Sequence, residues 1–312
     1  MACLALALAG CGLSVAGSGV FGAGPGDGTA QDAAVGDGAQ GEDAPPVDVD
    51  GAAGDAPPVG SSDAAPRSDA AAADTGTPPP DPTKISLSYA AGKDGKVYQF
   101  DIVSSTFSVF ASNGCPSAEE TAVMTDGSIF VTSSDNKNLY RVTPGTCTAI
   151  KLNGNFPFAF GTAPAGTLAT TEALVGYTNG DYVRVDPANG NVTTISAGVL
   201  GSLRPSGDMT AIGARGFLAA QTGTGNGAFA CPAGGDCIVE VSLVSGAPIK
   251  LMTQHVGLGI YGLAHSHGNL LFYANSQVFP YDPIAQTLGG AIAGWPAGAS
   301  FSGAGAAPFP PS

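Results

Sequence analysis

The chain has 312 residues, with 25 acidic against 11 basic side chains and a net charge of −14. That balance, with no cluster of Lys or Arg, argues against a nucleic-acid partner, because phosphate binding needs grouped cations. The charge is unevenly placed: residues 12–83 hold 12 Asp/Glu and one basic residue, Arg67, whereas 84–312 hold 13 acidic and 10 basic residues.

The chain opens on "MACLALALAGCGLS", a short apolar run from Ala2 to Ala9 that ends in Leu8-Ala9-Gly10-Cys11. The run is far shorter than the roughly 20 residues that span a bilayer, and reads as the apolar region of a signal peptide. Leu8 to Cys11 resembles the bacterial lipobox. That resemblance implies a signal peptide over 1–10, lipidation at Cys11 and a membrane anchor. No Lys or Arg precedes the run, so the true start is expected upstream. A cleaved secretory signal is the competing reading. Both place the protein outside the cytoplasm, in the cell envelope: on the outer membrane or exported, on its periplasmic or cell-surface side.

Residues 11–83 are almost entirely Gly, Ala, Asp, Pro, Ser, Thr and Val, with Phe21 the single aromatic. Such a segment cannot bury enough apolar surface to offset its ordering entropy, and is predicted to be a disordered acidic linker. "DVDGAAGD" (48–55) lacks the spacing of a calcium loop. Asp/Ala/Pro-rich tethers of this style resemble those of surface lipoproteins from myxobacteria.

From Lys84 onward, short runs rich in β-branched and aromatic residues alternate with Gly/Asn/Asp/Pro turns, an all-β pattern. "YVRVD" (182–186) has counterparts in "VYQFD" (97–101), "LYRVT" (139–143), "IVEVS" (238–242) and "VFPYD" (278–282). A turn and another strand follow each. Before most copies stand "TAVMTDGSIFVT" (121–132), "FAFGTAPAGTLAT" (158–170), "MTAIGARGFLAA" (209–220) and "YGLAHSHGNLLFY" (261–273), each a small-residue strand, a turn and an apolar strand. The counterparts start 42, 43, 56 and 40 residues apart, and a period of about 40–45 residues holding four strands is that of a β-propeller blade. The first unit supplies only three strands, and "ASFSGAGAAPFP" at the C-terminus supplies a strand with nothing after it. Joining them closes the ring and removes exposed edges. The expected fold is therefore an all-β propeller over 84–312, with five four-stranded blades; six blades or another all-β fold are the alternatives. Pro280 is predicted at a bulge or an unpaired position.

The exported region carries four cysteines. Cys115 opens the second unit and Cys147 lies in its outer strand, while Cys231 and Cys237 flank one short loop. Of three possible connectivities, disulfides Cys115–Cys147 and Cys231–Cys237 are expected. Five residues between Cys231 and Cys237 do not suit a zinc site.

The three histidines are His255, His265 and His267. His265 and His267, two apart, would share one face of a strand and are the candidate ligand-binding residues. They could hold a metal with His255 or a carboxylate. The competing reading leaves the pair at the turn before Gly268, bonded to solvent or backbone. The arrangement resembles that of the propeller lyases that open streptogramin antibiotics, and five-bladed propellers include arabinan-degrading enzymes. Glu119 and Glu120 follow Cys115, would point to opposite faces of a strand, and are expected to be solvated. Asp101, Asp186 and Asp282 recur at one register position and are predicted to be turn residues. No catalytic motif, metal or cofactor is expected. The broad look is that of bacterial propeller lipoproteins. That resemblance implies a monomeric, non-catalytic binding or scaffolding module for a protein or glycan. A hydrolase or lyase with a His/metal site at the channel mouth is the alternative.

Overall fold

In the computed structural model the described residues are 87–223, 229–231, 235–256 and 258–308, without the side chains of 253–256. The segment 1–10, Cys11 and the linker 11–83 lie outside them, as does the side chain of His255. Every regular element among the described residues is a β-strand, and all fall within the compact unit Ala72–Ser312.

Within each group strand pairing is antiparallel, and the grouping repeats every four strands. One group is β4 (Ala118–Val123), β5 (Ile129–Ser133), β6 (Leu139–Thr143) and β7 (Gly145–Lys151). The next is β8 (Phe158–Ala163), β9 (Ala173–Thr178), β10 (Asp181–Val185) and β11 (Val192–Ser196). A third is β12 (Leu203–Ile212), β13 (Arg215–Thr222), β14 (Gly235–Ser242) and β15 (Pro248–Val256). A fourth is β16 (Ile260–Ser266), β17 (Asn269–Ala274) and β18 (Gln277–Asp282), edged by two short strands, β19 (Thr287–Leu288) and β20 (Ala293–Gly294). The last joins the two ends of the fold: β21 (Phe301–Gly305) pairs with β1 (Leu87–Gly92), followed by β2 (Val97–Asp101) and β3 (Thr106–Asn113). Ala90 stands opposite Ala304 in that closure.

The first strands of the groups pack on one another in a ring, β21 to β4 to β8 to β12 to β16 and back to β21. The fold is a β-propeller, closed by its C-terminal strand as the sequence predicts. Each inner strand pairs on one side only, so its other edge must be satisfied by side chains near the axis. Small residues let these strands approach. A Cβ on Gly303 would collide with the Glu119 carbonyl oxygen, and one on Gly262 would lie 2.7 Å from Ala304 Cβ.

Apolar side chains fill the seams between sheets. Tyr177 and Tyr182 are fully buried and donate their hydroxyls to the carbonyls of Gly246 (2.7 Å) and Leu243 (2.9 Å) in the next sheet. Burying such a ring is worth about 2–3 kcal/mol, and the hydroxyl's bond avoids the cost of an unmet polar group. Pro280 sits in the gap between β19 and β20, which pair with β18 only at Tyr281–Asp282 and Gln277–Val278. Its missing N–H therefore costs no ladder bond there.

Both expected cysteine pairs meet as disulfides, Cys115–Cys147 with Cα atoms 5.0 Å apart and Cys231–Cys237 at 5.5 Å. The first lies beside the parallel contact of β3 with β7, where Ala111 stands against Gly145, and so ties two neighbouring sheets together. Such bonds accord with an oxidising compartment.

Candidate functional site

The repeated turn aspartates accept backbone N–H groups two or three residues on. Asp101 Oδ1 accepts from Val103 at 2.9 Å, Asp186 Oδ1 from Ala188 at 2.9 Å and Asp282 Oδ1 from Ile284 at 2.7 Å. These carboxylates close turns, as their register predicts, and leave the chemistry to be sought elsewhere.

The two candidate histidines part company. His265 is fully buried on β16, its Nδ1 3.0 Å from Thr210 Oγ1 on β12, and burial pushes its pKa down to about 4. His267 lies beyond the end of β16, exposed, in a left-handed conformation at φ 51°, with Nδ1 2.8 Å from Ser266 Oγ. The strand ends at Ser266, so the alternation that would align the two rings stops there. They do not form one site. Among the described residues no group of three His, Cys, Asp or Glu is arranged to hold a metal ion.

The axis holds a different cluster. Glu120 on β4 and Asp208 on β12 are both fully buried, and their side chains meet. Glu120 is therefore not the solvated loop residue that its adjacency to Glu119 suggests. The reason is a shared irregularity. The inner-strand ladders slip in register at one place each: between Ala118 and Thr121, Phe158 and Phe160, Pro205 and Met209, Ile260 and Gly262, and Ala91 and Gly92. A bulge re-aims the residues it contains. Glu120 and Asp208 fall inside two of these bulges and turn toward the axis.

Asp208 is held by the free edges of two inner strands: Oδ1 accepts the N–H of Phe160 at 3.4 Å, and Oδ2 accepts that of Ala304. No backbone N–H reaches either oxygen of Glu120. Neither acid is ion-paired to a described Lys or Arg. Burial pushes the Glu120 carboxyl up to about 8, and burial together with the neighbouring Glu120 holds Asp208 well above the usual carboxylate range. Glu119, half-buried, is raised by burial as well, against the pull of Lys93.

An open cleft of about 490 Å³ lies where β8 and β12 begin. Phe158, Tyr177 and Leu203 form its apolar part, Asn179 and Arg204 its polar part, and Gly180, Gly198 and Gly201 leave backbone bare. A Cβ on any of those three glycines would meet nothing within 4 Å, so the space above them is open. The lining carries one cation and no carboxylate, on a chain of net charge −14. Sequence reasoning missed this cleft because its residues come from the ends of strands in two different groups and from the connection that joins them, and no local pattern brings these together.

No known protein family matches the chain, and no curated protein does. Among solved structures, the chain is similar to one from a nidogen/laminin complex, at 11% identity and a TM-score of 0.45, covering 70% of this chain and 97% of that one. It is similar to a symmetrical protein from a study of de novo evolutionary emergence, at 14% identity and a TM-score of 0.48, covering 72% and 99%. It is also similar to the calcium-binding protein regucalcin from Agrobacterium tumefaciens, at 15% identity and a TM-score of 0.38, covering 60% and 64%. No residue role is carried over from these likenesses.

Proposed function

We propose that the protein is an exported, lipid-anchored propeller that binds a ligand without transforming it, and that the cleft where β8 and β12 begin is the binding site. The lining of that cleft supports the reading. A guanidinium beside an apolar wall suits a ligand that pairs a carboxylate with a flat apolar face, as an acidic sugar does. The buried acids and His265 are shut away from solvent and available to no substrate. The lipobox-like Leu8 to Cys11 and the linker 11–83 support a tethered module that reaches away from a membrane.

Calorimetric titration of the protein with uronic-acid oligosaccharides, against neutral oligosaccharides of equal length, tests the ligand. Selective binding of the acidic series, weakened at least tenfold in Arg204→Gln, is the expected result. Equal binding of both series, or of neither, rejects it. Loss of membrane association in Cys11→Ser tests the anchor separately.

A further inference from the structure

We propose that Glu120 and Asp208 share one proton across the propeller axis, and that this proton holds the closing strand β21 in the ring. The inference stands apart from the ligand reading and rests on where the strands run. β21 passes beside both acids: a Cβ on Gly303 would lie 2.7 Å from Asp208 Oδ2 and 2.8 Å from the Glu120 Cα. The next residue, Ala304, donates its N–H to Asp208. Two carboxylates this deeply buried, with no described Lys or Arg paired to either, cannot both ionise in contact. Driving them apart moves β4 from β12; β8 and β21 each pack against both, and β21 is the one that closes the ring.

The surroundings offer no substitute charge. On the elements packed against the pair the titratable and charged groups are Glu119 on β4, Arg204 on β12, Arg215 on β13, Tyr89 on β1, and Tyr261 and His265 on β16; β5, β8 and β21 carry none. Of these, Glu119 alone acts on Glu120, and as a like charge. Arg215 is engaged by Glu240 at 2.8 Å.

The folded pair keeps a proton that an unfolded Glu releases near pH 4.3. Stability from that proton is fully present below that value and is lost as the pH rises to about 8, where the folded pair gives it up. Each pH unit in this window lowers the closing equilibrium about tenfold per proton. The window from about pH 6.5 to 8 is the one to read, because protonation of His265 opposes the trend below it.

Hydrogen exchange of the full chain, corrected for intrinsic rates, tests the proposal. In residues 300–308 protection is expected to fall about tenfold per pH unit from pH 6.5 to 8 and then to level off, while the amides of β9 hold theirs. Glu120→Gln keeps the shape and can donate to Asp208 but does not titrate, so its profile is expected to be flat. A pH-independent profile in the unaltered protein overturns the proposal, and so does an unchanged slope in Glu120→Gln. Should that variant fail to fold, the profile of the unaltered protein decides alone.

Discussion

Asp208 on β12 accepts the backbone N–H of Ala304 on β21, 96 residues further along the chain. One side chain thus serves as the missing hydrogen-bond partner for inner edges that no neighbouring strand can reach, since it also accepts from Phe160 on β8. Asp208→Ala leaves both N–H groups buried without acceptors and removes the partner of Glu120. Each unmet group costs about 1–3 kcal/mol, so a loss of about 4 kcal/mol is expected in urea unfolding. Asp208→Asn retains an acceptor oxygen and is expected to lose less than half as much. Equal losses in the two variants would show that the hydrogen bonds to β8 and β21 do not matter.

Gly303 makes the second demand of closure. Any side chain there meets the Glu119 carbonyl, which belongs to a backbone that cannot swing away. Gly303→Ala is expected to cost about 3 kcal/mol, at the upper end of overpacking penalties. Gly298, at φ 79° with open space where a Cβ would stand, is the control for backbone effects alone. A thermal transition at Gly303→Ala no lower than that of Gly298→Ala would refute the steric account.

The Cys115–Cys147 bond closes 32 residues of chain and clamps β7 to the end of the sheet that contains β3. In the chain-entropy account a loop of that length is worth roughly 3–4 kcal/mol. For a domain of this size that corresponds to a fall of about 10 °C in the melting temperature of the Cys115→Ala/Cys147→Ala variant. A change of less than about 2 °C in calorimetry would mean that the parallel contact already holds the seam.

The repeat was legible because it is written in turns and in apolar alternation, which depend on local chemistry. Asp101, Asp186 and Asp282 do the same job in the structure as their shared position implies. The lone strand at the C-terminus was readable as a missing partner for the first sheet. The axis was not legible, because a bulge changes the facing of a residue without changing its neighbours in sequence. Glu119 and Glu120 read as solvated for that reason, and His265 and His267 read as a candidate pair from their spacing of two, although Gly268 already pointed to a turn beside them; the strand ends at Ser266, between the two rings. One signal did stand in the sequence. Glu120 immediately precedes "TAVMTDG" and Asp208 immediately precedes "MTAIGARG", so two copies of the small-residue motif carry an acid at the same offset. An acid placed by register at the start of an inner strand is one that the ring must either expose or protonate.

His265 supplies the opposite pH dependence to the carboxyl pair. Its folded pKa is lowered by burial to about 4, below the value of about 6.5 expected of the unfolded chain. The neutral ring is the form that the fold accepts, so its contribution is present above about pH 6.5 and is lost as the pH falls through 4. The span corresponds to about 3 kcal/mol. Between about pH 4.5 and 6.5 this loss and the gain from the pair offset one another. The unaltered protein is therefore expected to show a broad stability plateau there, with a decline on either side. His265→Gln, which can still bond Thr210 but does not titrate, removes the opposing term. Its unfolding free energy is expected to keep rising as the pH falls from 6.5 to 4.5, where that of the unaltered protein stays level. Parallel profiles for the two proteins in urea titrations across this range would show that His265 is not held neutral by the fold.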